Sequence, residues 1–214
     1  MFYKDPENVY RVRPFEAFDW LTHGFGTRWS KSFGSCRNLA TLHQIHSGDV
    51  VDAGGRTGCL GEGDALIENT PGVIVGIKTA DCIPILMVDP VHRAVAAVHA
   101  GWRGTVQKIA GNTIREMRNR FSSSAENLHI AIGPGIGQCC YEVGPEVLER
   151  FREYEPVSTH VDLANINRSQ IEDCGVPAAQ IYTANICTMC NRDFHSFRRD
   201  RHQAGRMVSV AGVR

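Results

Sequence analysis

Three short apolar runs follow one another in the middle of the chain: VIVGIK at 73–78, IPILMV at 83–88 and AVAAVH at 94–99. They are rich in β-branched residues and separated by turn residues, which suits buried strands that are neighbours in one sheet. The period then changes. After GWRG, Val106, Ile109, Ala110, Thr113, Met117 and Phe121 recur at helical spacing, which predicts one long amphipathic helix. A further strand is expected at 128–132, running into GPGIG, with shorter helices at 145–154 and 163–174. Residues 1–34 are aromatic and irregular, and 52–63 (DAGGRTGCLGEG) is rich enough in glycine to read as loop. The interleaving predicts an α/β chain of mixed α+β order, a single-domain layered sandwich with a mixed β-sheet core flanked by helices. No repeat, low-complexity segment or linker divides residues 1–214, so one catalytic domain is expected.

At 214 residues the chain can bury a sufficient core without staples. Its 23 basic and 23 acidic residues cancel, so the molecule as a whole has no electrostatic reason to seek nucleic acid or an anionic membrane. A small ligand is the expected partner. The first residues carry scattered charges and lack the pattern of a secretory signal. The apolar stretch at 83–88 is broken by Pro84 and Asp89 and falls short of a span of ~20 residues. A cytoplasmic location follows as the expectation, with the eight cysteines kept as thiols.

Three segments offer imidazole or thiolate beside turns: His43-Gln44-Ile45-His46, Asp81-Cys82, and His99 with the following AGWRG. Zinc favours these donors, and three protein ligands leave the fourth position free for water or substrate. Spacing alone does not decide the matter. Cys82 precedes one expected strand and His99 ends the next, so antiparallel pairing brings both to one rim. Burial as core residues is the alternative, since free cysteine is among the most buried types.

Arg103 lies in the glycine-flanked turn before the expected helix, a place suited to phosphate or to a structural ion pair. Asp64 and Asp81 are candidates for orienting a ligand histidine or moving a proton, Asp64 ahead of Asp81, with turn capping as the alternative. Cys187 and Cys190 form a C-x-x-C pair with no second such pair, and Cys139-Cys140 has the wrong spacing for a partner half. Both thiols of the pair therefore read as structural. Arg192, Arg198, Arg199, Arg201 and Arg206 alternate with Asp193 and Asp200 as on a solvated face, although Arg198 or Arg199 is placed to reach a phosphate.

The strings TLHQIHSGDVV, GDALIENTPGVIVGIKTADCIPILMVDP, AVAAVHAGWRGTVQKIAGNTI, IGPGIGQCCYEVGPEV and FHSFRRDRHQAGRM together resemble the YfiH-like family. That family was long labelled polyphenol oxidase or laccase-domain and is now regarded as purine nucleoside phosphorylases. The likeness runs from about Phe25 onward. It implies that His46, Cys82 and His99 bind a metal, zinc or else copper, with His43 outside the ligand set. It also matches Cys140-Tyr141-Glu142 to a family motif that residues alone present as a structural turn. The implied chemistry is phosphorolysis of adenosine, inosine or guanosine to base and ribose 1-phosphate, with activity on methylthioadenosine and deamination of adenosine. Purine nucleosides and phosphate are then the partners, and Cys82, His99, Arg103 and Asp64 the catalytic candidates. Phe25, Trp29 and Phe33 are candidates for an apolar wall against the base.

The chain departs from the family in one place. Asn38-Leu39 runs almost directly into TLHQIH where the family carries a helix, which implies either a trimmed rim or a removed segment. Three other readings remain: a copper-dependent polyphenol oxidase, a metal-free hydrolase with Cys82 as nucleophile and His99 as base, and a non-catalytic metal-binding module. The oxidase ranks below the phosphorylase because nine histidines with no H-x-H pair supply too few ligands for several copper centres.

Overall fold

The side chains of the strand at 83–88 alternate between two different surroundings, and that alternation sets the architecture. In a computed structural model, which describes residues 1–31, 33, 37–154 and 158–214, Ile83, Ile85 and Met87 pack with helices, while Leu86 and Val88 pack against a second sheet. A strand covered on both faces needs apolar residues at every position, which is why this run is continuous rather than alternating.

The described strands are β1 (Phe2–Lys4), β2 (Val9–Val12), β3 (Leu21–Gly26), β4 (Leu39–His43), β5 (Val50–Asp52), β6 (Gly58–Glu62), β7 (Ala65–Glu68), β8 (Ile74–Thr79), β9 (Ile83–Asp89), β10 (Ala94–Ala100), β11 (His129–Ile132), β12 (Ile181–Thr183) and β13 (Met207–Val213). The α-helices are α1 (Trp102–Val106), α2 (Ile109–Phe121), α3 (Pro145–Leu148), α4 (Leu163–Asp173) and α5 (Phe197–Asp200). One sheet has the order β1-β2-β3-β13-β8-β4-β6 and the other β12-β11-β9-β10-β7-β5. Both are mixed: β4 runs parallel to β6 and β8, β5 to β7, and β11 to β12, while the other pairs are antiparallel. Phe25, Val75, Leu86, Val95, Ala97 and Ala211 fill the space between the sheets. On the outer face of the second sheet, Ile109, Ile114 and Met117 of α2 and Ile171 of α4 cover Ile85, Ala96 and Val98. Shortening such a fully buried side chain to alanine costs about 2–5 kcal/mol.

The layered α/β sandwich and the strands expected at 73–78, 83–88 and 94–99 are present, though β8 belongs to the first sheet and only β9 and β10 are paired neighbours. Three expectations need correction. The start of the chain, read as irregular, is largely ordered sheet up to Gly26, because β1, β2 and β3 form one edge of the first sheet; residues 32 and 34 lie outside the described residues. The glycine-rich stretch is not all loop, since Gly58–Glu62 pairs with β4 as an edge strand. The long helix is two helices: Lys108 takes a left-handed conformation at φ 56°, and the chain turns there before α2 begins. Asn112 braces this turn, its Nδ2 donating to the carbonyls of Gln107 at 3.1 Å and Gly48 at 2.9 Å. Similarly, 145–154 is a single turn of α3 followed by a 3-10 segment.

Candidate metal centre and active-site cleft

The hairpin register does the first part of the work. Ala100 pairs with Ile83 and His99 with Pro84, so Cys82, one residue before β9, stands beside the end of β10. Gly101 makes this approach feasible. A Cβ there would lie 3.0 Å from the Cys82 Sγ and 3.1 Å from the His46 Cδ2, close enough that one of these ligands would have to shift by a few tenths of an ångström.

His46 comes from the loop after β4, and Asp64 positions that loop. The Asp64 carboxylate is fully buried and accepts hydrogen bonds from the backbone N–H groups of Ile45 (3.2 Å), His46 (3.0 Å) and Ser47 (2.6 Å), and from the Ser47 hydroxyl (2.9 Å). It also takes the Nδ1–H of His99 at 2.7 Å, while the His99 N–H donates to the Asp64 carbonyl at 2.8 Å. One carboxylate therefore fixes both histidines and turns the Nε2 of His99 toward Cys82. Gln44 adds a second anchor. Its side chain exchanges two 2.8 Å hydrogen bonds with the backbone of Lys78 on β8, standing in for a strand residue. His46 itself is held at a left-handed φ of 61°.

The outcome is a three-donor cluster. One ligand atom from each of His46, Cys82 and His99 lies within 4.8 Å of the others, and the two imidazole rings meet edge to face with centroids 4.9 Å apart. The charges are mutually adjusted. Burial would raise the Cys82 thiol, but hydrogen bonds and positive charge from His46 and His99 outweigh it and bring it down to about 6. Burial would lower His99, but the Asp64 carboxylate and Cys82 overcome it and raise His99 to about 9. Asp64 is driven to about 2, its burial overridden by the hydrogen bonds from His99 and Ser47. A thiolate beside two imidazoles, with the outer nitrogen of one fixed by a carboxylate, is the donor set of an open zinc-type site.

This cluster forms part of the wall of an open cleft of about 530 Å³, within the range of small-ligand sites. Leu42, His43, Ile136, Tyr141 and Phe197 supply apolar and aromatic surface, and Lys78, Arg198 and Arg206 bring positive charge. The Arg198 guanidinium lies 5.5 Å from the Tyr141 ring centre and donates to the Glu142 carbonyl at 2.9 Å. Burial, followed by the nearby Cys82 charge, pushes the Tyr141 hydroxyl up to about 12, so it stays a donor.

The remaining expected residues fall into place differently. Asp81, at φ 88°, does not touch the histidines. Its carboxylate accepts from the Thr188 hydroxyl (2.7 Å), the Ser196 hydroxyl (3.1 Å) and the Arg198 N–H (2.6 Å), and so anchors the distant segment that forms one wall. Arg199 is engaged with Asp200 and the carbonyls of Thr188, Met189 and Phe194. Arg103 is exposed, stacks on Trp102 at 4.3 Å and is not among the lining residues. Its charge still acts on the Tyr141 hydroxyl. The aromatic wall also comes from elsewhere: Phe25 and Phe33 are buried in cores away from the cleft, and Trp29 is exposed. Tyr141 and Phe197 take that place. β4 (Leu39–His43) runs directly into the Gln44–His46 turn, and among the described residues between Gly26 and Leu39 there is no helix.

Residues 27–214 match the family described as multi-copper polyphenol oxidoreductase laccase. A protein of Deinococcus radiodurans named purine nucleoside phosphorylase is 41% identical over 82% of this chain and 70% of its own length. The chain belongs to this family. Another relative, named adenosine deaminase RL5 and from an unknown prokaryotic organism, is 39% identical over 67% of this chain, a match that spans 59% of that protein. The crystal structure of YlmD from Geobacillus stearothermophilus superposes on this fold with a TM-score of 0.89 at 26% identity, covering 100% of this chain and 98% of that one. Among the described residues no helix is long and apolar enough to cross a membrane.

Proposed function

We propose that this chain is a zinc-dependent purine nucleoside phosphorylase, cleaving adenosine, inosine or guanosine with phosphate to free base and ribose 1-phosphate, with adenosine deamination and methylthioadenosine cleavage at the same site. The observation that carries the reading is one cleft with a His46–Cys82–His99 cluster in its wall and Arg198, Arg206 and Lys78 around it. A nucleoside needs a flat apolar slot and a few polar contacts, and phosphate needs guanidinium or ammonium groups. Relatives named for both activities support the same substrate class.

His46, Cys82 and His99 are the residues that would hold the ion. Bound there, it supplies a Lewis acid and lowers the pKa of a water toward ~7. Asp64 acts as a positioning residue: with its oxygens occupied by five donors it is committed to orientation rather than proton transfer. Tyr141, held protonated, donates a hydrogen bond into the cleft. Arg198, fixed by the Glu142 carbonyl, and Arg206 bind phosphate inside the cleft, while Arg103, outside the lining, contributes through its charge, which acts on the Tyr141 hydroxyl. The enzyme is placed in the cytoplasm, where phosphate and nucleosides are both present.

The test is incubation of the zinc-loaded protein with inosine and with adenosine, with and without phosphate. Base release that requires phosphate is the expected result, and base release independent of phosphate, or none, rejects the phosphorylase. Arg198→Ala should raise the phosphate KM about tenfold. Arg103→Ala is a separate check, and an unchanged phosphate dependence removes Arg103 from the mechanism. A copper oxidase reading draws on the same two-histidine, one-cysteine donor set. Oxidation of a phenolic dye by the copper-loaded protein, without phosphorolysis, would favour it.

A further inference from the structure

A second group of donors lies outside the site described above. Cys139 and Cys140, in the loop after β11, meet Cys187 and Cys190, in the loop after β12, with all four sulfurs within 4.8 Å of one another. The Sγ–Sγ separations are 3.6 Å for Cys139–Cys140, 3.8 Å for Cys139–Cys190 and 3.4 Å for Cys140–Cys190. A disulfide needs ~2.05 Å. Four thiolates at ~2.3 Å from one tetrahedral zinc ion are separated by ~3.8 Å; the three separations above lie at or up to 0.4 Å below that, far from a disulfide and close to a shared ion. In sequence, the adjacent Cys139-Cys140 has the wrong spacing for a partner half of the C-x-x-C pair. Folding places them as that partner nonetheless.

The surroundings are shaped for such a centre. The Gly137 N–H donates to the Cys187 sulfur at 3.3 Å, the kind of backbone contact that stabilises a thiolate. A Cβ on Gly137 would lie 3.2 Å from the Cys187 Cβ and 3.4 Å from the Cys139 Sγ. The two loops are already joined by backbone hydrogen bonds, Thr188 N–H to the Gly135 carbonyl at 2.9 Å and Gly135 N–H to the Ile186 carbonyl at 3.3 Å. Cys139 and Cys190 are exposed, so an ion can enter from solvent.

We infer that Cys139, Cys140, Cys187 and Cys190 form a second, structural site for a thiophilic divalent cation, zinc by preference, separate from the His46–Cys82–His99 centre. Four sulfur donors close the coordination shell, so this site holds structure rather than substrate. It clamps the loop carrying Tyr141 to the segment leading to Arg198, and those two residues face each other across the cleft wall.

The experiment uses the full chain, purified under reducing conditions, with zinc and cobalt(II) as probes. A His46→Ala/Cys82→Ser variant disables the first centre. It should retain about one zinc per chain against about two in the parent. Its cobalt form should show the intense sulfur-to-metal charge-transfer absorption of a tetrahedral thiolate site. Adding Cys190→Ser should abolish that absorption. Where that further variant does not fold, the spectrum and zinc content of His46→Ala/Cys82→Ser decide alone. No zinc and no charge-transfer band in that variant overturns the inference. So does peptide mapping of parent protein purified without reductant and alkylated in chelator that finds any of Cys139, Cys140, Cys187 or Cys190 in a disulfide. Absence of phosphorolysis in the unmutated, zinc-loaded parent with the cluster's zinc present would count against the proposed activity and leave this site standing.

Discussion

Two groups of soft donors, one in the wall of the cleft and one on the loops after β11 and β12, are built in opposite ways. His46, Cys82 and His99 are placed by the sheets: a hairpin register sets Cys82 against His99, and a buried aspartate ties in the His46 loop. Cys139, Cys140, Cys187 and Cys190 are placed by loops joined through a few backbone bonds. The first group has mixed nitrogen and sulfur donors and opens onto a cleft. The second is all sulfur, with Cys139 and Cys190 exposed to solvent. A rigid frame with an incomplete donor set suits chemistry, whereas a complete donor set on loops makes the ion part of the frame.

The sharpest way to break the comparison is to remove a ligand from the first group. His99→Ala should abolish metal binding there and, since a Lewis acid contributes several kcal/mol, reduce turnover by on the order of 10³-fold, while the four-cysteine site keeps its zinc. Metal analysis with a phosphorolysis assay checks both halves. Asp64→Asn is next. Losing the carboxylate that orients both histidines should weaken zinc binding about 10–100-fold, measured by competition with a chromophoric chelator, and an unchanged affinity would falsify its positioning role.

A smaller effect concerns reactivity. In the metal-stripped protein the Cys82 thiol, lowered to about 6, becomes thiolate as pH rises through that value, well before an ordinary cysteine does. Alkylation at neutral pH, followed residue by residue in the mass spectrometer, should therefore be on the order of tenfold faster at Cys82 than at Cys174. Cys174 is raised, first by burial, and serves as the internal contrast. Equal rates would mean that His46 and His99 do not stabilise the thiolate. The mildest change is Gly101→Ala. The added methyl meets the Cys82 sulfur and the His46 ring and should weaken zinc binding several-fold, about tenfold at most, through displacement rather than loss of a donor. Zinc content of the four-cysteine site should not respond.

The parts of the molecule that were legible in the sequence are those with a strong local period. β9 and β10 are apolar runs because they are buried on both faces, and β8 is apolar apart from Lys78, which reaches the cleft. The antiparallel hairpin brings Cys82 and His99 to one rim, while their role as ligands rather than core residues rests on the family resemblance. β1 to β3 escaped because edge strands mix aromatic, basic and polar residues and receive their order from the neighbouring β13. The break at Lys108 carries no glycine or proline signal, and a left-handed lysine is a tertiary outcome held by Asn112 and the His46 loop. His46 needed the family resemblance, as nothing local says that a turn histidine will meet a strand from another part of the chain. The four cysteines were present as two incomplete half-sites, and only the parallel pairing of β11 with β12 brings them together. The roles of Asp81 and Gln44 were hidden for the same reason, because each binds backbone or hydroxyl partners far away in sequence.

The place of β13 has a consequence for how the protein is made. Met207–Val213 runs through the middle of the first sheet, between β3 and β8. On the ribosome, at 5–20 residues per second, it emerges on the order of ten seconds after β8. Until then β3 and β8 lack their shared neighbour, and their backbone edges stay open while the reactive thiol at position 82 has already been synthesised. Nascent chains should therefore be more prone to oxidation and self-association than released ones.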